Sequence, residues 1–299
     1  MWQRGAVVDT EIGSDPYGSE GSGGTSWWRS RADEPKPVDL RVDLPHPARM
    51  YDYYLGGKDN FPADRKAAEQ ARAVAPNAST AARANRAFMA RAVRHLAGEV
   101  GIDQFLDIGT GIPTSPNLHE IAQEAVEGAR VVYVDNDPIV LAHARALLTG
   151  TPTGRTAYLD ADVRDVRRIL AAPEVVDTLD LARPVALSLL AVGHFLPDSD
   201  DPGGIVRRLV DALPAGSHLV LSHLTPDHDP SIEAGARAYR AQGIALRPRT
   251  RAEVEALFGG LELIDPGLVS VHRWRPDAAV PADLTDAQVS AYGAIGRKS

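Results

Sequence analysis

Cysteine is absent from this sequence of 299 residues, and its absence limits the chemistry that the chain can perform. Without thiols there are no disulfides, no thiolate zinc site and no cysteine nucleophile. Iron–sulfur radical chemistry is excluded as well, because such clusters are held by cysteine ligands. Any reaction must therefore use oxygen and nitrogen groups or a bound cofactor.

Long apolar runs and excess positive charge are also missing. No run approaches the roughly 20 apolar residues that a membrane span needs, and the N-terminus lacks the basic-then-apolar pattern of a secretory signal. With a net charge of −8, the chain is predicted to be a poor general binder of nucleic acid. We therefore expect a cytoplasmic protein whose partner is a small molecule, with no membrane association.

Changes in composition divide the chain into segments. Residues 1–37 are rich in Gly, Ser, Pro and acidic residues and show no periodicity, which predicts a disordered tail. Residues 38–299 are predicted to form one domain. Within it, residues 38–100 are expected to form an N-terminal lid and helices, and residues 101–299 an α/β core with a polar insert at 225–258.

The start of this domain has little periodicity. Residues 38–62 hold three tyrosines and a Gly-Gly pair, and we expect this segment to be ordered but irregular. Two helices are predicted to follow as a cap. One ends before Pro76, and the other runs from about Ser79 to Glu99, where apolar residues recur at helical spacing.

From Asp103 onward, strand-like and helix-like segments alternate, which predicts a doubly wound, mostly parallel sheet with right-handed crossovers. The predicted strands are residues 105–108, 130–134, 156–159, 185–190 and 218–222. The predicted helices are residues 117–127, 138–148, 163–170 and 203–213. Two further strand-like runs, 261–274 (interrupted by Pro266-Gly267) and 292–297, bring the expected sheet to seven strands.

The first strand runs into a glycine-containing turn, "FLDIGTGIPTSP", at residues 105–116. Gly109 and Gly111 let backbone N–H groups approach a ligand closely, and the next helix presents a partly positive N-terminus. Pro113 stands where a further glycine would be expected and has no N–H group, so the turn offers fewer donors than the pyrophosphate of a dinucleotide would need. A tight turn with no ligand is the alternative interpretation.

Acidic residues follow the next two strands. Asp135 in "VVYVDNDP" stands where an acid can accept the ribose hydroxyls; a solvated loop acid is the alternative. Asp137 is predicted to cap the helix that starts at Pro138. Asp162 in "YLDADVRDV" can accept an adenine amino proton beside the N–H of Val163; a capping role for the neighbouring acids remains open.

A turn with two glycines, a ribose acid and an adenine acid suit an adenosine-containing ligand that is not a dinucleotide. S-adenosylmethionine (SAM) fits, because an amino-acid tail replaces the pyrophosphate. The fourth strand ends "SLLAVGHFLPD", which places residues 191–194 at the same edge.

At these motifs the sequence resembles class I SAM-dependent methyltransferases, over roughly residues 100–224. A narrower resemblance covers about residues 38–299. "PARMYDYYLGGKDNFPADR" and "DIGTGIPTSPNLHEIAQ" are similar to the S-adenosyl methyltransferase family first catalogued as a domain of unknown function, in which the same "GTGIPT" turn occurs. The resemblance implies a Rossmann-like methyltransferase fold, SAM as cofactor and no defined acceptor.

The resemblance also implies residue roles. The methionine end of the cofactor would be lined by Gly109, Thr110 and Gly111; the ribose would be held by Asp135 with Asn136; and the adenine would be framed by Asp162 and Val163. The floor of the site would be Ala191 and Val192, with His194 at its mouth, and a lid would be formed by Tyr51, Tyr54, Gly56, Gly57 and Lys58.

Histidines and arginines supply the remaining candidates. His194 is the predicted catalytic base, since imidazole titrates near neutral pH; a packed rim histidine is the alternative. His223 is expected to line the acceptor pocket. The loop cluster His223, Asp227, His228 and Asp229 lacks clean ligand spacing, so no metal site is predicted. The arginines of "LRPRTRAE" in the insert could attract an acidic acceptor or simply begin a helix.

The leading hypothesis is a methyltransferase acting on a small molecule by in-line methyl transfer. The main alternative is a non-enzymatic module that binds SAM or its product S-adenosylhomocysteine (SAH). An NAD-dependent oxidoreductase and a methyltransferase acting on a macromolecule are the others. The fourth strand lacks the Asn-Pro-Pro-aromatic pattern of adenine methylation, and cytosine C5 methylation needs the cysteine that is absent.

Overall fold

The structure is a computed structural model that describes residues 40–147 and 153–299. The tail predicted at residues 1–37 lies outside the described residues, as does the predicted last residue of the helix at 138–148. The side chains of Leu141 and of residues 144–147 are likewise not described.

The described residues form one mixed sheet. The parallel strands are β1 Gln104–Ile108, β2 Arg130–Asp135, β3 Arg155–Asp160, β4 Ala186–Leu190 and β5 His218–Leu224. The strands β6 Glu262–Leu263 and β7 Val269–Ser270 both pair with the last strand, β8 Ala291–Arg297, which is antiparallel to β5. The order is β3-β2-β1-β4-β5-β8-β6, and the predicted doubly wound, mostly parallel fold is confirmed.

Helices cover both faces of this sheet. In chain order they are α1 Pro47–Leu55, α2 Pro62–Val74, α3 Ala78–Arg94, α4 Leu118–Ala125, α5 Pro138–Leu147, α6 Val166–Ala171, α7 Pro173–Val176, α8 Pro202–Asp211, α9 Ser231–Ala241, α10 Arg251–Ala256 and α11 Asp286–Val289. A π-helical turn, His95–Val100, continues α3. Asp137 accepts a hydrogen bond from the N–H of Ile139 at the start of α5, as predicted.

The central strands are apolar throughout because both of their faces are buried. Alternate residues of β1 enter separate cores: Leu106 packs with Ile169 and Ile205 of α6 and α8, whereas Phe105 packs with Phe88 and Ile121 of α3 and α4. This burial fixes the strand register, since a shift of one residue would exchange the two faces. The strand tips are thereby held in one row.

Two predicted segments differ from the structure. Residues 47–55 are helical, although the segment 38–62 was expected to be irregular. His46 stands at the N-cap of this helix, and Gly56, at φ 84°, ends the helix in the left-handed region. The run 261–274 forms two short strands, because Pro266-Gly267 makes a turn between them.

Hydrogen bonds to Asp52 of α1 hold the "LGGKDN" segment, which connects α1 to α2. The carboxylate of Asp52 accepts hydrogen bonds from the N–H of Asp59 (3.1 Å) and the side-chain amide of Asn60 (2.7 Å). A Cβ atom on Gly57 would lie 1.9 Å from an oxygen of this carboxylate. Gly57 is therefore needed for the close approach of its backbone to Asp52.

A buried group of charged side chains joins α1 to the end of β2. The Nε atom of Arg49 lies 3.6 Å from Asp64 and 3.3 Å from Asp137, and the Nδ1 atom of His46 lies 2.9 Å from Asp137. Burial raises the pKa of Asp137, but the hydrogen bond and charge of His46, the N–H of Ile139 and the charge of Arg49 outweigh it and lower the pKa overall. The helical cap is thus anchored beside the strand tips.

Candidate functional site

A cavity of about 880 Å³ lies at the tips of β1 to β4 and beneath α1. We call it the strand-tip cavity. Ten of the thirteen residues predicted to bind the cofactor line it: Tyr51, Gly109, Thr110, Gly111, Asp135, Asn136, Asp162, Val163, Ala191 and Val192.

A smaller cavity of about 120 Å³ adjoins the first, and we call it the inner cavity. The two share five lining residues: Pro47, Tyr51, Asn85, Ala191 and Phe195. Tyr54 and His194 line the inner cavity only, whereas Gly57 and Lys58 line neither. The residues of the predicted lid therefore have different positions. Tyr51 lines both cavities, whereas Gly57 and Lys58 belong to the segment that connects α1 to α2.

The backbone N–H groups of residues 109–111 in the glycine turn are donated within the protein. Those of Gly109 and Thr110 reach the carbonyl oxygen of Val134 at 2.7 and 3.3 Å, and that of Gly111 reaches Asp135 at 2.8 Å. A Cβ atom on Gly109 would lie 2.1 Å from Val192. The expectation that these N–H groups face a ligand is therefore not met, and the turn has no free N–H at these residues to cradle a phosphate.

Asp135 is the link between this turn and β2. Its second oxygen accepts a hydrogen bond from the N–H of Asp137 at 2.9 Å, and the residue is 7% exposed. Burial raises the pKa of Asp135, against the lowering effect of its two backbone hydrogen bonds. A solvated loop acid is thereby excluded, and each carboxylate oxygen keeps a second lone pair for a ligand hydroxyl.

Asp107 is a second buried acid at the cavity, and sequence reasoning did not single it out. Burial raises the pKa of its carboxyl to about 7, and the hydrogen bond from the hydroxyl of Thr110 only partly opposes this. Its position two residues before the first turn glycine was the available signal. It supplies a carboxyl group that titrates near neutral pH at the floor of the cavity.

The tip of β3 carries a polar cluster at the cavity edge. The carboxylate of Asp162 accepts hydrogen bonds from the guanidinium of Arg164 (2.9 and 3.0 Å) and from the side-chain amide of Asn136 (3.2 Å). Asp165 caps α6 by accepting from the N–H of Arg168. The capping role that had been left open therefore belongs to Asp165, and Asp162 faces the cavity.

Arg86 is a cation in the lining of the cavity that sequence reasoning also missed. It projects from α3, and its guanidinium donates hydrogen bonds to the carbonyl oxygens of Thr114 (2.5 Å) and Pro116 (2.7 Å). A positive charge thus lies beside the turn that follows β1. The helical pattern around Arg86 in the sequence gave no sign of this contact.

A hydrogen-bond chain crosses the boundary between the two cavities. Asn85 donates to the hydroxyl of Tyr51 (3.0 Å) and accepts from the hydroxyl of Ser222 (2.6 Å), which in turn accepts from the N–H of Ala191 (2.9 Å). Ala191 has φ 57°, a conformation that side-chain-bearing residues rarely adopt and that often marks functional sites. These hydrogen bonds connect the bend at Ala191 to the helical cap and hold the bend in place.

His194 and His223 lie side by side in the inner cavity, and their partners fix their tautomers. The Nδ1 atom of His194 accepts from the N–H of Leu224 (3.4 Å), so the proton of its neutral ring is on Nε2. His223 donates from Nδ1 to the carbonyl oxygen of Leu224 (2.8 Å) and accepts at Nε2 from Arg249 (3.0 Å). Burial lowers the pKa of both rings, to about 4 for His223.

The arginines of the insert stabilise the loop after β4. Arg249, which is 3% exposed, donates to the carbonyl oxygens of Gly193 and Leu196 and pairs with Asp198 at 2.7 Å. Arg247 pairs with Asp198 and Glu253. The alternative that these two arginines attract an acidic acceptor therefore receives no support from their contacts.

The described residues hold neither a candidate metal site nor a candidate membrane-spanning helix. Among residues 40–147 and 153–299, no group of three or more His, Asp or Glu side chains is arranged to hold a metal ion. In the same part of the chain, no helix has the length and apolar character to cross a membrane.

Comparison with known proteins identifies the family. The S-adenosyl methyltransferase family matches residues 33–299. A DUF574-family protein from Streptomyces avermitilis is 53% identical, with a TM-score of 0.86 over 87% of this chain and 100% of its own. A Thermobifida fusca protein described as a methyltransferase is 43% identical, with a TM-score of 0.82 over 88% of this chain and 98% of its own. A search of curated proteins found no match.

A more distant likeness shows the fold alone. An O-methyltransferase family protein from Burkholderia thailandensis is 12% identical, with a TM-score of 0.52 over 87% of this chain and 66% of its own. This likeness agrees with the predicted fold, and the family match confirms the predicted cofactor and reaction type. The chain belongs to the S-adenosyl methyltransferase family and is an enzyme that transfers methyl groups from SAM.

Proposed function

We propose that the strand-tip cavity holds SAM and that a small molecule entering the inner cavity is the methyl acceptor. In this proposal Asp162 and Val163 face the adenine, Asp135 accepts the ribose hydroxyls, and Asp107 lies beside the cationic end of the methionine tail. The observation that carries it is the row of three acids at adjacent strand tips, all lining one cavity.

The chemistry of the lining supports SAM over a dinucleotide. A pyrophosphate needs N–H donors at the turn after β1, but those of residues 109–111 are already donated to β2. The buried carboxyl of Asp107 instead suits a cationic ligand group. SAM supplies an activated methyl group, and the residues of the chain supply its position and exclude water.

The inner cavity supports an enzyme acting on a small molecule. A module that only binds SAM needs no second cavity, yet one adjoins the first at Tyr51, Asn85 and Ala191. Helices α1, α2, α3 and α9 contribute to its lining, so a macromolecular acceptor would have to displace the cap. The predicted cytoplasmic location stays a prediction.

His194 remains in the proposal as a side chain that meets the acceptor, but its role differs from the predicted base. With its Nδ1 atom accepting from Leu224, the ring presents an N–H group at Nε2 and acts as a hydrogen-bond donor. Tyr54, Gly57 and Lys58 are not retained as cofactor contacts, because they do not line the strand-tip cavity.

Isothermal titration calorimetry with SAM, SAH and NAD tests the cofactor assignment. We expect SAM and SAH to bind with one site per chain and NAD to give no measurable heat. Binding of NAD, or no binding of SAM and SAH to folded protein, would contradict the proposal.

We expect SAH affinity to depend on pH through Asp107. The raised pKa means that the carboxyl is protonated at pH 5.5 and half ionised near pH 7, whereas the α-ammonium of the ligand stays charged over this range. A bound cation favours the ionised carboxylate, so affinity is expected to rise about tenfold between pH 5.5 and 7. Calorimetry on Asp107→Asn, which should show a flatter profile, checks this; an unchanged profile would refute it.

The same shift has a consequence for stability with the opposite sign. Since the folded protein binds the Asp107 proton more tightly than the unfolded chain, ionisation of this group reduces stability as pH rises from about 4 to about 7. Asp107→Asn removes this contribution. The free energy of unfolding of the variant should therefore fall less than that of the wild type between about pH 4 and about pH 7.

A further prediction concerns Arg86, which we expect to attract the carboxylate of the methionine tail. Arg86→Ala should weaken SAH binding roughly tenfold, as expected for a lost hydrogen bond to a charged group. Binding of 5′-methylthioadenosine, which lacks the amino-acid tail, should not change. Arg83→Ala, exposed on the same helix and absent from both cavity linings, is the control. Equal losses for both ligands would assign Arg86 a purely structural role.

A further inference from the structure

The inner cavity has a lining with a distinct chemistry. Nine of its lining residues are alanines: Ala71, Ala75, Ala78, Ala81, Ala82, Ala191, Ala236, Ala287 and Ala291. Their short side chains leave the space of about 120 Å³ between α1, α3 and α9. Gly235 keeps α9 close to α2, since a Cβ atom there would lie 3.1 Å from that of Ala75.

From this lining we infer that the inner cavity is the acceptor site and takes an uncharged molecule with an apolar body the size of one ring, methylated on a neutral nitrogen. The inference rests on the proposed function, because it places the acceptor next to SAM.

The size of the cavity sets the size of the acceptor. A cavity of about 150 Å³ lined by apolar side chains is known to stay dry and to bind benzene. The inner cavity, at about 120 Å³, is of the same order and shares Tyr51 and Asn85 with the lining of the strand-tip cavity. A single six-membered ring therefore fills it, and a fused ring system does not fit without movement of the cap.

The charge of the lining sets the charge of the acceptor. Among the described residues, those that line the inner cavity include no lysine, arginine or glutamate. The one acid, Asp229, accepts hydrogen bonds from the N–H (2.8 Å) and hydroxyl (2.7 Å) of Ser231 at the start of α9. An anionic acceptor would leave water without a partner of opposite charge, which is costly. A cationic acceptor would meet only Asp229, whose two oxygens already accept hydrogen bonds from Ser231.

The two histidines set the nature of the reacting atom. Both rings are neutral at pH 7 because burial lowers their pKa values, and His194 presents an N–H group rather than a lone pair. A phenol, with a pKa near 10, would have to lose its proton without a suitable base. A neutral nitrogen has no such requirement.

The transfer is balanced for such a nitrogen without any proton movement. The nitrogen lone pair forms the new bond to the methyl carbon, the carbon–sulfur bond breaks, and its electron pair remains on sulfur. The positive charge passes from sulfur to nitrogen, so the net charge within the two cavities is unchanged.

The test uses the full chain saturated with SAH and four probes: 3-methylpyridine, p-cresol, benzoate and benzylammonium. We expect 3-methylpyridine and p-cresol to bind, and the two charged probes to bind at least tenfold more weakly, as measured by ligand-observed NMR titration. With SAM in place of SAH, mass spectrometry should detect N-methylation of 3-methylpyridine and no methylation of p-cresol. Equal binding of the charged probes, or methylation of p-cresol alone, would overturn the inference.

Cavity variants locate the binding. Ala78→Leu fills the inner cavity and should weaken the binding of 3-methylpyridine at least tenfold. Ala73→Leu is the control, because Ala73 is exposed on α2 and absent from the cavity lining, and it should leave this affinity unchanged. Ile232→Ala enlarges the cavity and should admit a larger ring such as quinoline. If wild type and variants bind SAH but Ala78→Leu has no effect on the probe, the acceptor site is wrong; if none binds SAH, the proposed function fails.

Discussion

Replacement of Asp135 by alanine is expected to weaken SAH binding by about 1–3 kcal/mol, roughly 5- to 150-fold. Two losses combine in this change. The ribose diol loses a buried acceptor, and the N–H groups of Gly111 and Asp137 lose the carboxylate that holds the turn against β2. Both effects act on the strand-tip cavity, so this is the largest change in cofactor affinity that we predict for one residue.

A matched control separates this effect from a general loss of charge. Asp160 ends the neighbouring strand, is exposed and lines neither cavity. Calorimetry should therefore show an unchanged SAH affinity for Asp160→Ala. An unchanged affinity for Asp135→Ala in a protein that remains folded would remove Asp135 from the proposed site.

The largest effect on stability is expected at Arg49. This guanidinium is 3% exposed and faces Asp64 and Asp137, which are 0% and 1% exposed. Arg49→Ala would leave two buried carboxylates without their arginine, a loss of about 3–5 kcal/mol in the free energy of unfolding. At about 2–4 °C per kcal/mol, the melting temperature should fall by roughly 10 °C.

Thermal unfolding of Arg49→Ala beside Arg72→Ala checks this prediction. Arg72 pairs with Glu69 at the surface, with both side chains more than two-fifths exposed, and such pairs contribute little. We expect no measurable change in the melting temperature for Arg72→Ala. Equally small changes in the melting temperatures of both variants would mean that the buried charges do not anchor the cap.

The strand tips could be predicted from the sequence because local pattern determines them. Continuous apolar runs of four to eight residues followed by glycine or acid mark buried parallel strands and their carboxyl ends. In an open sheet those ends share one edge, so Asp135 and Asp162 could be placed near one another before any coordinates.

Contacts that depend on distant segments could not be predicted in this way. Helix α1 was missed because three tyrosines and a Gly-Gly pair obscure its period, and its burial depends on contact with α2 and α3. Asn85 and Ser222 are 137 positions apart, and nothing local in the sequence relates them. The tautomer of His194 depends on the N–H of Leu224, which becomes known only when the loop after β4 is placed against β5.

Gly109 and Gly111 show the same limit of prediction from sequence within a single turn. Gly109 was expected to open the backbone to a ligand, but in the structure its missing side chain makes room for Val192. Gly111, by contrast, has no atom near its missing Cβ position, and its N–H binds Asp135. The sequence pattern locates the turn, whereas the three-dimensional neighbours decide what each glycine does.

A crystal structure of the full chain with SAH bound is the most direct test of the two-cavity account. We expect the adenine beside Val163, the ribose hydroxyls on Asp135, and the sulfur atom at the boundary formed by Tyr51, Asn85 and Ala191, facing the inner cavity. A sulfur atom turned away from that boundary, or a ribose with no contact to Asp135, would contradict it.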